Sequence, residues 1–288
     1  MKAGYISIIG RPNVGKSTLL NRLIGVKLSA VTKKPQTTRN RILGILTEGD
    51  CQCYFLDTPG LIKPEYELQQ LMVEQIKIGI RSADIVLWVT TPWFSESEFP
   101  KDLFLPKRPS VLIAAINKID LVKKSDLLPV MNKLKDFGPD EILLISALTG
   151  EGIDELKKVL FSYLPEGPFL YPEDDLSDRP ERFFVAELIR EEIFRTFKEE
   201  IPYATCVVIE DFKERKKGKD FIRATIYVEK ESQRKIIIGK DGAGIKQIGA
   251  NARKGIEEFL GRAVYLELWV KVKPHWRKNK RFLKELGY

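Results

Sequence analysis

The run Gly10-Arg11-Pro12-Asn13-Val14-Gly15-Lys16-Ser17 sets two glycines, a lysine and a hydroxyl at the spacing G-x-x-x-x-G-K-S, between a strand-like apolar run and a helical pattern. Glycines there let successive backbone N–H groups, and the helix N-terminus that follows, converge on phosphate oxygens. Lys16 supplies a point charge to terminal phosphates, and the Ser17 hydroxyl suits Mg2+. A chance match in a chain of 288 residues is on the order of one per cent. A plain glycine turn has no need of Lys16 and Ser17. Gly10, Asn13, Val14, Gly15, Lys16, Ser17 and Thr18 are therefore the candidate phosphate-contacting residues.

Two further motifs follow in an order that matters. Asp57-Thr58-Pro59-Gly60 closes an apolar run. Its carboxylate can hold Mg2+ through water, and Gly60 can offer an N–H to a γ-phosphate and let the backbone move when that phosphate leaves. Asn117-Lys118-Ile119-Asp120 closes another. Asp120 can accept from guanine N1–H and the exocyclic amine, a pattern adenine lacks; Lys118 can cover the base and Asn117 can brace the phosphate loop. Ser146-Ala147, after a further strand, can bring a backbone N–H to the guanine oxygen. The three motifs together select GTP over ATP.

Composition removes competing chemistries. A single histidine, His275, excludes three-His zinc sites and H-E-x-x-H protease helices. Of the three cysteines (Cys51, Cys53 and Cys206), the Cys51-x-Cys53 pair lacks third and fourth ligands and reads as core thiols of a reducing compartment. No secretory leader is read at Met1, and no apolar stretch approaches the ~18 residues of a membrane span, so a cytoplasmic protein is expected.

The elements that must position these residues are legible from periodicity. Apolar runs at 5–9, 42–46, 51–56, 85–89, 111–116 and 142–145 alternate with helical patterns. Among the latter are Leu68, Leu71, Met72, Ile76 and Ile80; Leu127, Leu128, Met131 and Leu134; and Ile153, Leu156, Val159 and Leu160. The alternation predicts an α/β sheet sandwiched by helices.

Residues 1–165 resemble a translation-factor-type GTPase of the Era/TrmE group, which implies a P-loop GTPase domain with a mixed sheet. In Pro35-Gln36-Thr37-Thr38-Arg39-Asn40-Arg41 the resemblance makes Thr38 the residue that reaches Mg2+ in the GTP state. By its own composition, 28–41 is a polar, cationic segment consistent with a mobile loop. The metal ligands implied are Ser17, Thr38 and Asp57, and the catalytic residues Lys16, Thr38 and Gly60. Leu61 stands where Ras-like proteins carry the glutamine that orients water, so intrinsic hydrolysis should be slow. In related GTPases an asparagine like Asn13 helps bind K+, which makes K+ a candidate cofactor beside GTP/GDP and Mg2+.

The remaining chain differs in charge. Residues 1–180 hold 23 basic and 23 acidic side chains; residues 181–288 hold 25 and 17, the whole of the net +8. That asymmetry points to a polyanion partner for the second part. Pro165, Pro168, Pro172 and Pro180 mark 166–180 as a semi-stiff linker between domains at 1–165 and 181–288.

Beyond it, helical and strand patterns run α-β-β-α-α-β. The last strand carries Val264, Leu266, Leu268, Val270 and Val272 on one face. The loop Ile238-Gly239-Lys240-Asp241-Gly242, with Ile245 beyond it, resembles the G-x-x-G loop of a bacterial-type KH domain, a smaller α+β fold. Two glycines admit a sugar-phosphate chain, Lys240 and Lys246 sit near the phosphates, and Ile236 and Ile238 are candidate walls of a groove for about four unpaired bases. In the tail, Lys273, Arg277 and Lys278 are candidate phosphate contacts. Trp276 either meets RNA or, with Phe282, packs on the sheet.

Both modules in this order resemble the bacterial Era family. The resemblance implies a monomeric GTPase switch that binds the single-stranded 3′ end of 16S ribosomal RNA and acts on the 30S subunit during assembly. Family members have been associated with the inner face of the cell membrane, for which composition offers no support. The competing readings are an ATP-dependent RNA phosphotransferase, which Asp120 opposes, and a constitutive RNA scaffold with a structural nucleotide domain.

Overall fold

The computed structural model describes residues 1–99 and 109–288, which divide into two compact units. The first spans Met1–Ser29, Thr38–Pro64 and Gln69–Asp178. Its sheet comprises β1 (Lys2–Ile9), β2 (Ile42–Glu48), β3 (Cys51–Asp57), β4 (Ile85–Thr90), β5 (Val111–Ile116) and β6 (Glu141–Leu144), in the order β2-β3-β1-β4-β5-β6. All pairings are parallel except β2 with β3, which places an antiparallel strand at one edge. Runs such as Ile113-Ala114-Ala115-Ile116 are buried on both faces, as helix-covered parallel strands must be.

From β1 the chain turns to one side for β3 and later crosses to the other for β4. The crevice at the carboxyl end of β1 is thus the topological switch point, where α/β sheets place ligands. Helix α1 (Lys16–Ile24) starts there. Met72, Ile76 and Ile80 line α2 (Glu67–Ser82) as expected. In α3 (Leu127–Lys135) the apolar face is narrower than its spacing suggested: Leu127 and Leu134 are buried, but Leu128 is 63% exposed. Helix α4 (Ile153–Tyr163) buries Ile153, Leu156 and Leu160. No disulfide joins the described cysteines, and burial pushes the Cys53 thiol well above its ordinary range, so it is an inert core group.

The stretch read as a semi-stiff linker packs on the sheet of the first unit. Leu170 N donates to Tyr54 Oη at 2.8 Å, Tyr171 packs edge-on against Tyr54, and Ile45 N donates to Leu176 O at 2.9 Å. The prolines stop helix formation, but aromatic stacking and spare edge-strand groups still hold this stretch on the sheet.

The second unit comprises Arg179–Tyr288 with two short stretches, Ala30–Thr37 and Glu65–Leu68. It holds α5 (Glu181–Thr196), β7 (Cys206–Lys213), β8 (Asp220–Val228), α6 (Glu231–Ile238), α7 (Ala243–Leu260), β9 (Val264–Val272) and a short α8 (Lys280–Glu285). Strand order is β7-β8-β9, with β8 and β9 parallel. The core joins Ile189 and Ile193 of α5, Ile222 and Ile226 of β8, and Ile248 and Ile256 of α7. The α-β-β-α-α-β order is as expected; α8 extends it.

Candidate functional site

The carboxyl ends of β1, β3 and β5 bring the three motifs of the first unit together. Gly15 has φ +102°, and a Cβ there would lie 2.2 Å from Asn117 Nδ2, so only glycine fits where the phosphate loop meets Asn117. Asn117 ties the phosphate loop to the segment after β6: Nδ2 donates to Val14 O at 2.8 Å, and Oδ1 accepts from Ala147 N at 2.8 Å. Lys118 Nζ donates to Asn13 O at 2.6 Å. Gly60 abuts the same loop, since a Cβ on it would meet Pro12 at 2.8 Å, and Leu61 N donates to Gly10 O at 3.1 Å.

The hydroxyls and carboxylate expected at the metal converge. Ser17 Oγ lies 2.8 Å from both Thr38 Oγ1 and Asp57 Oδ2. Asp57 is fully buried, and its Oδ1 has no hydrogen-bond partner. A set of hard oxygen donors with one buried carboxylate oxygen unspent fits a Mg2+ ion. Burial draws the Lys16 ammonium down to about 8 while Asp57 opposes that drift; burial raises the Asp57 carboxyl, against Lys16 and its hydroxyl partners. Lys16 Nζ donates to Gly10 O and Arg11 O, both at 3.0 Å, which anchors it at the mouth of the loop.

Sequence reasoning missed Ser29, whose hydroxyl donates to Asp57 Oδ2 at 2.9 Å. Asn21 holds it in place, with Oδ1 accepting from the Ser29 amide at 2.8 Å. A serine in a polar loop carries no spacing signal, so only tertiary contact reveals it. Nor is 28–41 loose throughout: Ser29, Thr37, Thr38 and Arg39 are buried.

At the base site Ser146 Oγ donates to Asp120 Oδ1 at 2.6 Å, orienting the carboxylate. The expectation for the amides needs revision. Ser146 N donates to Glu151 O and Ala147 N to Asn117 Oδ1, both at 2.8 Å. Here one amide closes the 146–151 turn and the other holds the Asn117 side chain, so neither is an open donor. Leu61 packs with the core around Ile9, Ile76 and Trp88, so it cannot orient water.

In the second unit, residues 239–242 turn between α6 and α7. Gly239 has φ +72°, and a Cβ on it would lie 2.8 Å from Gly244 N, so the close turn needs glycine. Lys240, Asp241 and Lys246 are exposed, Gly242 half-buried. Ile236 is 49% exposed, whereas Ile238 and Ile245 are half-buried against the core. Half-buried Leu266 and Leu268 of β9 join that core as well, a part of the apolar surface that loop spacing could not assign.

The tail is less open than its composition suggested. Trp276 is fully buried, and its Nε1 donates to Ala204 O at 2.8 Å, which rules out base stacking by this ring. Arg277 is half-buried and paired with Glu229, while Lys273 Nζ lies 4.0 Å from the Phe282 ring centroid. Lys278 and His275 are exposed.

A family model described as "50S ribosome-binding GTPase" matches residues 5–133, and one described as "KH domain" matches residues 200–277. The GTPase Era of Lactobacillus delbrueckii subsp. bulgaricus is 46% identical over all of this chain and 96% of its own length. The chain belongs to the Era family of GTPases.

The Era of Geotalea uraniireducens is likewise 46% identical, across 98% of its length. Two solved Era structures superpose on the whole chain with TM-scores of 0.94. One, 39% identical, is a variant from Aquifex aeolicus bound to GDP.AlF4-; the other, 40% identical, is Era in complex with MgGDPNP and nucleotides 1506–1542 of 16S ribosomal RNA. Each is covered to 99%. Among the described residues no helix is long and apolar enough to cross a membrane.

Proposed function

We propose that this chain is a GTP-hydrolysing switch that binds the 3′ region of 16S ribosomal RNA and acts as a cytoplasmic monomer in assembly of the 30S subunit. One observation carries this reading: the Ser17–Thr38–Asp57 oxygen cluster and the 239–242 loop lie in one chain. The relative bound to MgGDPNP and RNA supports it.

In this reading the backbone of 10–17 and Lys16 hold the β- and γ-phosphates. Asp120 reads guanine, and Ser17, Thr38 and Asp57 hold Mg2+. When bound, Mg2+ neutralises charge that builds on the phosphate oxygens as water displaces GDP. Thr38 and Gly60 sense the γ-phosphate. Because Leu61 cannot position water, K+ beside Asn13 is the proposed supplement; equal hydrolysis rates in matched K+ and Na+ buffers would refute that part. For RNA, Gly239 and Gly242 admit the backbone, Lys240 and Lys246 meet phosphates, and Ile236 and Ile238 face bases, with Asp241 in the turn. Lys273, Lys278 and, once released from Glu229, Arg277 are the tail contacts.

Coupling would run through chain continuity. Thr38 is grouped with the first unit, and its neighbours Ala30–Thr37 with the second. There Val31 N donates to Glu191 Oε1 at 3.3 Å, and Lys34 Nζ reaches Phe194 O and Phe197 O at the end of α5. The deciding experiment compares binding of RNA spanning nucleotides 1506–1542 in GTP-analogue and GDP states, with ATP as competitor. Tight, GTP-favoured binding that ATP does not displace is expected. Equal RNA affinity in both states would leave a constitutive scaffold.

A further inference from the structure

Strand β9 turns Leu266, Leu268 and Val270 into the core, so Tyr265, Glu267, Trp269 and Lys271 lie on the opposite face of the sheet. That face carries large aromatic groups in the open: Tyr265 is 58% and Trp269 53% exposed. Phe221, directly across on β8, stacks against Tyr265 with centroids 5.9 Å apart and planes 14° from parallel. Four residues along one strand separate Tyr265 from Trp269 by about 13 Å. Single exposed aromatics are common, but two exposed rings with half-buried Phe221 beside them on one face of a small sheet form a contiguous aromatic patch.

The rings are held and framed by charge. Trp269 Nε1 donates to Glu267 Oε1 at 2.7 Å, and Arg223 Nε donates to Glu267 Oε2 at 3.1 Å. These bonds hold the Glu267 carboxyl below its ordinary range and fix the indole's direction. The Arg223 guanidinium lies 5.3 Å from the Phe221 centroid and Lys213 Nζ 5.9 Å from it. Beside the aromatics, the β7–β8 turn over 213–219 carries five basic residues against one acidic. A rigid aromatic shelf beside a cationic turn matches a polyanion whose bases are unpaired, because rings stack bases while lysine and arginine take phosphates. An apolar protein partner would have little use for the turn.

We propose that this outer face of the second sheet is a second RNA-binding surface, on which unpaired bases stack against Tyr265 and Trp269 while the 213–219 turn neutralises the adjoining backbone. It is separate from the 239–242 loop, whose apolar neighbours Ile238 and Ile245 belong to the opposite, helix-packed side of the sheet. The idea rests on the RNA-binding reading above and extends it to a longer or branched RNA held on two faces.

The test uses the full-length protein with a GTP analogue and RNA spanning nucleotides 1506–1542. Replacing both exposed rings (Tyr265→Ala with Trp269→Ala) is expected to weaken binding about tenfold or more, given what one stacked base contributes. Trp269→Phe should retain most affinity and abolish the part of the tryptophan quenching that RNA causes at this ring. Unchanged nucleotide binding and melting would show that the variants fold. If the parent binds RNA and the double variant binds it equally well, with no quenching assignable to Trp269, the second surface is refuted while the loop reading stands. If the parent binds no RNA, the broader reading falls. Loss of self-association in the double variant, with RNA affinity intact, would assign the face to a second copy and overturn the proposal.

Discussion

In the proposed base site Asp120 and Ser146 divide the labour. There a carboxylate accepting two hydrogen bonds from guanine would contribute specificity, and the 2.6 Å bond from Ser146 sets its direction. Removing hydrogen bonds to a charged group costs roughly 1.5–3 kcal/mol each. Asp120→Ala is therefore expected to lower GTP affinity by about 100-fold or more in equilibrium titration with a fluorescent GTP analogue. Ser146→Ala, which loses orientation alone, should cost about tenfold. Similar losses in both would mean that Ser146 itself touches the nucleotide.

Between residue and whole lie the elements whose geometry carries the second unit. At the 239–242 turn, positive φ and contact with Gly244 make Gly239→Ala destabilising, whereas exposed Lys240 contributes charge alone. Lys240→Ala should leave melting unchanged, weaken RNA binding several-fold and lower its salt dependence; an unaltered salt slope would exclude phosphate contact. At the start of β8, Arg262 Nε donates to Asp220 Oδ2 at 2.6 Å and Arg215 N donates to Oδ1 at 2.8 Å, holding the carboxyl below its ordinary range. A folded-state value below the unfolded one stabilises at pH above about 4 and is lost as pH falls through the folded value. Asp220→Asn should thus destabilise the protein by roughly 1–2 kcal/mol at neutral pH, and the gap should close in denaturant titrations below pH ~4. A gap constant with pH would show that the carboxylate's charge is not what stabilises.

For the molecule as a whole, the question is how a nucleotide event reaches the RNA-binding part. Lys34 caps the carbonyl end of α5, a favoured place for a cation. It lies four residues from Thr38. With Lys34→Ala, GTP hydrolysis and RNA binding are each expected to persist, while the ratio of RNA affinities in the GTP-analogue and GDP states moves toward one. A ratio equal to the parent's would place coupling elsewhere, with residues 65–68 next to examine.

The sequence by itself determined the motifs: the phosphate loop, Asp57-Thr58-Pro59-Gly60 and Asn117-Lys118-Ile119-Asp120 have fixed spacings, since each lies at the carboxyl end of one strand. It also determined the sheet, because buried parallel strands demand continuous apolar runs, and it located the basic excess in the second part. Only the tertiary structure decided what depends on contacts between distant residues. Ser29 met Asp57, Trp276 was withdrawn into the core, and Arg277 was paired with Glu229. The proline-rich stretch was hydrogen-bonded to β2 and β3. Composition could count the tail's positive charges and aromatic rings; burial settled that Trp276 is part of the core, while Tyr265 and Trp269 of β9 are left in the open.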